Sequence, residues 1–245
     1  MKRFKFISLP LFAGAMIFFS SCGGDANKAD SSSDTTSTGA KDSPVVANTI
    51  VTTPQGMMVA THKVSNFEKW LAGYEAHDSL RLASGIHSYV VGRAFGDSNT
   101  VMVTVKVDDM AKAKAFAKSA DLKQAMQKSG VVGPPTINFY TTTWQDTAML
   151  ASSTLRSRTN FSVKDWAAWE KNFIDGRAER IANGIVDRAY GHDPDDNTKV
   201  FLVTAVMDTA KAFAYYKSDA LKKRRADGGV TTEPKRLLFY VVKRY

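Results

Sequence analysis

The sequence contains one cysteine among its 245 residues, so no disulfide can form within the chain. It also lacks the spacings of common catalytic and metal sites: an H-E-x-x-H or H-x-H pair, a glycine-rich phosphate loop followed by Lys-Ser or Lys-Thr, and a G-x-S-x-G turn. These absences argue against zinc-protease, P-loop and serine-hydrolase chemistry. We therefore expect no metal site and no cofactor.

Acidic residues are outnumbered by basic ones, which gives a formal charge of +9. The densest basic run, Lys222 to Arg225, falls at the end of a predicted helix, where cations complement the helix dipole. No aromatic interleaving and no nucleic-acid motif accompanies the run. It predicts a solvated helix face and no nucleic-acid partner, with contact to an anionic lipid surface as a lesser alternative.

The amino terminus carries an apolar run that is too short to span a bilayer. Phe6 to Phe19 is 14 residues long, follows a basic n-region, and is typical of a cleaved signal peptide. Ser20-Ser21-Cys22 closes the run and resembles the lipobox of bacterial lipoproteins. Residues 1–21 are thus predicted to be a lipoprotein signal peptide, and lipid on Cys22 is predicted to anchor the protein in the cell envelope. Both the periplasmic and the surface side of the membrane agree with this prediction. The alternative is a plain signal peptide that leaves Cys22 a free thiol.

Residues 22–56 are small and polar, with almost no aromatic side chains. Such a composition cannot bury enough apolar surface to order itself. We predict a disordered tether, with a root-mean-square reach of roughly 30 Å for a chain of this length.

The rest of the chain contains an internal repeat. Residues 82–131 recur at 181–230 with an offset of 99, and 18 of the 50 paired residues are identical. Composition alone would give roughly three identities. The shared glycines and aspartates are mostly in predicted caps and turns, so the two copies share a backbone conformation and not a set of reactive side chains. It predicts two domains, residues 57–147 (repeat one) and 152–245 (repeat two).

Each repeat is predicted to contain a strand, a helix, two strands, a helix and a strand. In repeat one the first helix is predicted to span Asn66 to Ser84 and to end at Gly85. Asp109 is the predicted N-cap of the second helix, and Ser119 is predicted to restart that helix. In repeat two we predict three extra residues in the first helix region and one before Pro234.

This βαββαβ order is the ferredoxin-like unit. With Asp-x-x-Lys-Ala at the start of the second helix, Ser-x-x-Leu-Lys after it, and Gly-Val before the last strand, each repeat resembles a domain of the dimeric α+β barrel superfamily, and in particular the antibiotic biosynthesis monooxygenase-like proteins. In that superfamily two sheets, usually from two subunits, close a barrel with helices outside. The resemblance implies an α+β fold in which tandem repeats close that barrel within one chain as an internal pseudo-dimer.

The resemblance also implies a ligand cavity between a sheet and its helices. One side of the predicted first helix carries Trp70, Tyr74, His77 and Arg81. The first helix of repeat two carries Arg180 and Trp166, which we match with Trp70. These residues would wall a pocket for an apolar ligand with an anionic or carbonyl group. The alternative is ordinary core packing of an amphipathic helix. The haem-degrading branch of the family uses a histidine on the second helix, which neither repeat contains.

Three of the four histidines lie in repeat one: His62, His77 and His87. His62 falls in the first strand, and His87 shares one predicted face of the second strand with Tyr89. Such histidines could serve acid–base chemistry, or they could be strand-border residues with satisfied hydrogen bonds. No metal-ligand spacing accompanies them.

Three functions follow from these patterns. The first is a non-catalytic, lipid-anchored envelope protein whose barrel binds a small apolar ligand or a partner. The second is a cofactor-independent, monooxygenase-like enzyme with His77 or His87 as proton acceptor and Tyr89 or Arg81 orienting the substrate. The third is a structural interaction module whose clefts are filled by its own side chains.

Overall fold

The computed structural model describes residues 48–245. The predicted signal peptide, Cys22 and the tether as far as residue 47 lie outside the described residues. The end of the predicted tether forms a short strand, β1 (Ile50–Val51), which pairs with the end of a later strand through Ile50 and Asp146. No helix within residues 48–245 is long and apolar enough to cross a membrane.

Repeat one has the predicted order of elements, but its first helix is divided in two. Its elements are β2 (Gln55–Val64), α1 (Phe67–Ala76), α2 (Asp78–Leu82), β3 (Ile86–Ala94), β4 (Asp97–Val107), α3 (Met110–Ala117), α4 (Ala120–Lys128) and β5 (Val131–Asp146). The elements of repeat two are β6 (Leu155–Ser162), α5 (Trp166–Asp175), α6 (Arg177–Ala182), β7 (Ile185–His192), β8 (Lys199–Val206), α7 (Thr209–Lys217), α8 (Asp219–Asp227) and β9 (Lys235–Arg244).

The two repeats form one closed barrel. The strands are ordered β5-β2-β4-β3 in repeat one and β9-β6-β8-β7 in repeat two, and β3 pairs with β9 while β5 pairs with β7. All of these pairings are antiparallel. Eight strands therefore close on themselves, which leaves an interior just wide enough for side chains or one small ligand. The predicted fold of tandem ferredoxin-like repeats in an intramolecular α+β barrel is confirmed.

The offset of 99 residues holds through the first helix and the last strand. Asn66 caps α1 and Asp165 caps α5, and both helices have ten residues. Met57 pairs with Tyr140 as Arg156 pairs with Phe239. The predicted insertions in repeat two are therefore wrong. The counterpart of Trp70 is Trp169, and Trp166 corresponds to Phe67.

Both seams between the repeats pass a glycine. Gly92 of β3 lies opposite Val241, and Gly191 of β7 lies opposite Thr142. A Cβ atom at Gly191 would stand 2.0 Å from the carbonyl oxygen of Thr141, and one at Gly92 would stand 2.7 Å from the Phe239 ring. Glycine at these two positions lets the strands approach closely enough to close the barrel.

Alternate residues of each strand face two different cores, because successive side chains of a strand point to opposite sides of the sheet. One side packs against the helices, with Ile86 and Val101 fully buried in repeat one. The other side fills the barrel interior, where residues of both repeats meet: Met57, Val59, Val90, Met102, Tyr140, Phe201, Phe239 and Val241.

Candidate functional site

A cavity of about 80 Å³ lies between the sheet and the helices of repeat one. Five of the predicted site residues line it: His62, Trp70, Tyr74, His77 and Arg81. The other lining residues are apolar: Met58, Ala60, Leu80, Val103, Val105, Phe116, Leu122, Ala125, Met126 and Ile137. The structure thus brings together the helix stripe and the strand histidine that the sequence singled out.

Aromatic rings form one wall of this cavity. Trp70 is buried and stacks on Tyr74 with a centroid distance of 5.3 Å, and the imidazole of His62 lies 5.5 Å from Trp70. The Tyr74 hydroxyl and the Ser88 hydroxyl hydrogen-bond to each other at 2.7 Å. The wall is consequently apolar over its area, with polar atoms at its edges.

His62 is the unusual residue of this wall. It is 7% exposed, and neither ring nitrogen has a hydrogen-bond partner. Burial lowers the pKa of His62 to about 4, so the imidazole is neutral at pH 7. A buried polar group without a partner costs about 1–3 kcal/mol. In repeat two the equivalent residue is Phe161, so this cost arises in only one half of the barrel.

His77 interrupts the predicted first helix. It lies between α1 and α2 with φ −99° and ψ 20°, and its Nδ1 is 2.6 Å from the carbonyl oxygen of Gly73. A carbonyl oxygen only accepts, so Nδ1 carries the proton, and in the neutral ring Nε2 is left as an acceptor. The prediction of one continuous helix from Asn66 to Ser84 is wrong because the chain turns at His77.

Arg81 makes the same packing contacts in repeat one as Arg180 makes in repeat two. Arg81 donates to the carbonyl oxygen of Tyr74 at 2.6 Å and lies over its ring at 3.7 Å, while Arg180 donates to Phe173 at 2.7 Å and lies over its ring at 3.6 Å. Each arginine also pairs with a carboxylate. This repetition points to a structural tie that holds the helical segments together.

Repeat two has its own cavity of about 90 Å³ between sheet and helices, and Arg180 lines it together with Trp169 and Phe173. Trp166 is not among the lining residues. It packs against Trp169 and, at 4.8 Å, against His192. Trp166 corresponds to Phe67, and Phe67 does not line the cavity of repeat one either.

His87 and Tyr89 lie on the same side of β3, opposite Ile86 and Ser88, which face the helices. A β-bulge between Ser88 and Val90 then leaves Tyr89 and Val90 both facing the barrel interior. His87 is exposed and its Nε2 lies 2.8 Å from the Asp108 carboxylate, outside the cavity. Tyr89 lies in the barrel interior and accepts a hydrogen bond from Gln145 at 3.1 Å. The two residues thus share a side of β3, as predicted, but they do not line one cavity.

A third cavity, of about 100 Å³, lies inside the barrel. Four arginines line it, and none of them was singled out from the sequence: Arg156, Arg158, Arg188 and Arg244. The signal was nevertheless present, because Arg156 and Arg158 correspond to Met57 and Val59 at the offset of 99. No group of three or more His, Cys, Asp or Glu side chains within residues 48–245 is placed to hold a metal ion.

No family model and no curated protein match this chain. Several solved structures resemble it in fold. A candidate monooxygenase from Fusobacterium nucleatum shares 14% identity with a TM-score of 0.51, over 78% of this chain and 93% of its own. An anthrone oxidase-like protein shares 12% identity with a TM-score of 0.54, over 80% of this chain and 95% of its own. At such identities the likeness establishes the α+β barrel fold alone.

Proposed function

We propose that this protein is a lipid-anchored binding protein of the bacterial cell envelope, and that the cavity of repeat one takes a small apolar ligand with one polar group. The observation that carries the proposal is His62, whose two unpartnered ring nitrogens stand in an otherwise apolar and aromatic wall. A neutral imidazole can either donate to or accept from a ligand. A ligand group that pairs with His62 removes the penalty of its burial.

The size of the cavity limits the ligand. About 80 Å³ is roughly half of the 150 Å³ that accommodates benzene in an engineered protein. A single aromatic ring therefore enters only if neighbouring side chains move. Met58 and Met126 line the cavity, and methionine adapts its shape more readily than branched side chains do.

The binding test compares phenol with toluene, which has the same ring but no hydroxyl. We expect the full chain to bind phenol about tenfold more tightly in calorimetric titration, because the hydroxyl pairs with His62. His62→Phe copies the residue of repeat two and is expected to abolish this preference. His87→Phe, at an exposed histidine, is the matched control and should retain it. Equal affinity for both probes in the parent protein, or an unchanged preference in His62→Phe, contradicts the proposal.

The anchor is supported by the lipobox-like Ser20-Ser21-Cys22. We expect mass spectrometry of the mature protein to find an acylated cysteine at the new amino terminus, and Cys22→Ser to release the protein from the membrane fraction. A mature terminus without acyl chains contradicts this part of the proposal and leaves the ligand site unaffected.

A cofactor-independent oxygenase is the second candidate function. It is favoured by the contact that orients His77, since Nδ1 is held by Gly73 and Nε2 is left to accept a proton at the cavity wall. The test is oxygen consumption with hydroxylated aromatic substrates. Turnover that His77→Ala abolishes and His87→Ala leaves intact supports catalysis, and turnover that is equal in parent and His77→Ala excludes this role of His77.

A further inference from the structure

The four arginines of the barrel interior all belong to repeat two. Met57 and Val59 of β2 face this interior, and the residues at the same positions of β6 are Arg156 and Arg158. The fold tolerates apolar residues at these positions, because repeat one has them. The two arginines are therefore not required to build the barrel.

Arg156 is buried, and its guanidinium group has too few hydrogen-bond and ionic partners. It is 3% exposed, its Nη1 donates to the carbonyl oxygen of Thr154 at 2.9 Å, and its Nη2 has no hydrogen-bond partner. Burial, followed by the neighbouring Arg244 and Arg188 cations, lowers the pKa of Arg156 to about 10. Three guanidinium groups are thus gathered at one end of the cavity.

Arg158 lies one position further along the same face of β6. It is 6% exposed, its Nη2 donates to the Tyr140 hydroxyl at 2.5 Å, and its Nε has no partner. Its burial holds the charge away from water and lowers the pKa of Arg158.

A single carboxylate faces these four arginines, and it is already engaged. Asp146 accepts from Arg188 at 2.7 Å, from the Thr49 hydroxyl at 2.8 Å and from the Ala148 amide at 2.9 Å. Among the lining residues four arginines and one aspartate leave an excess of three positive charges. Buried charges are normally paired, so this excess indicates that an anion belongs in the cavity.

The apolar lining of the cavity selects the kind of anion. It is made of side chains of both repeats: Met57, Val59, Val90, Met102, Phe201, Phe239 and Val241. A fully hydrated inorganic anion gains nothing from such a wall, whereas an organic anion can bury its hydrocarbon part there. Arginine also matches the planar carboxylate group with two parallel hydrogen bonds.

We propose that the barrel interior is a second binding site, which takes a small organic carboxylate with its charged group between Arg156, Arg188 and Arg244. None of its lining residues lines the cavity of repeat one, and the two cavities lie on opposite faces of that sheet. Asp146 and Arg244 are only half-buried, so ligand enters at this end. The site is independent of the function proposed above.

A benzoate ring enters a cavity of about 100 Å³ only as the flexible side chains of Met57 and Met102 move. The test uses benzoate, its neutral analogue benzamide, and inorganic phosphate as probes of the full chain in calorimetric titration. We expect benzoate to bind at least tenfold more tightly than benzamide and than phosphate. Arg156→Met and Arg158→Val copy repeat one, and Arg156→Met is expected to weaken benzoate at least tenfold. Lys217→Met removes an exposed charge and is the matched control, with unchanged affinity expected.

Each other outcome overturns the proposal. Equal binding of benzoate and benzamide shows that the arginines do not receive the carboxylate. Tighter binding of phosphate shows that the apolar wall plays no part. Binding of benzoate that survives in both arginine variants places it elsewhere, and the absence of benzoate binding to the parent protein excludes the site. A phenol site in repeat one would persist in both arginine variants, which keeps the two proposals distinguishable.

Discussion

Replacing Arg156 with methionine, the residue that repeat one has at this position, is expected to stabilise the ligand-free protein. The pKa of Arg156, lowered by burial and by two neighbouring cations to about 10, corresponds to a cost of about 3 kcal/mol for keeping the guanidinium charged in the folded state. Loss of the hydrogen bond to Thr154 offsets about 1–2 kcal/mol of the gain. The net expectation is an increase of about 1–2 kcal/mol in the free energy of unfolding, or roughly 2–8 °C in Tm.

The measurement is urea unfolding of the full chain, followed by circular dichroism in buffer without organic anions. Arg180→Met is the comparison, because Arg180 is equally buried but pairs with Asp187 through two hydrogen bonds of 2.7 Å. Its loss strands a buried carboxylate and should destabilise by about 3–5 kcal/mol. If both variants lose stability, the charge of Arg156 is compensated in the free protein and the reasoning is refuted.

Three further substitutions test the fold and the repeat-one cavity. The pKa of His62 is near 6.5 in the unfolded chain and about 4 in the folded one, so stability is full above pH 6.5 and falls by about 3 kcal/mol as the pH drops from 6.5 to 4. His62→Phe should remove that part of a pH-dependent unfolding curve, and an unchanged curve would assign the titration to other groups. Gly191→Ala should destabilise by about 3 kcal/mol or more in denaturant unfolding, because its Cβ meets a backbone oxygen. A loss of less than about 1 kcal/mol in the free energy of unfolding would mean that β5 and β7 can move apart at this position at little cost. Asn66→Ala removes the cap of α1 and should cost about 1 kcal/mol in the same assay, whereas no change would show that the Lys69 amide finds another acceptor.

Local signals in the sequence were sufficient for the element order and for most helix ends. Asp109 accepts from the amides of Ala111 and Lys112 as an N-cap, and Ser119 caps α4 in the same manner. Gly85 has φ +66°, as expected for the residue that ends a helix. These interactions span three or four residues, so they can be predicted without knowledge of the tertiary structure.

The features that decide the sites depend on distant parts of the chain. Arg156 and Arg158 are buried because the barrel closes through the pairings of β3 with β9 and of β5 with β7, which join distant parts of the chain. The bulge beside Tyr89 likewise follows from pairing with β4. The first helix divides at His77 in repeat one and at the equivalent Gly176 in repeat two, so the break belongs to the shared backbone and does not require the His77 side chain. Helical periodicity does not register it.

Enclosing the barrel within a single polypeptide frees its interior from symmetry. In a homodimer every mutation appears twice, so arginines at the positions of Met57 and Val59 would enter as two facing pairs and repel one another across the same narrow space. Here repeat two carries Arg156 and Arg158 while repeat one keeps Met57 and Val59 at the same positions. One chain with two different repeats can thus place arginines in one half of the interior without repeating them in the other, which a barrel of two identical subunits cannot do.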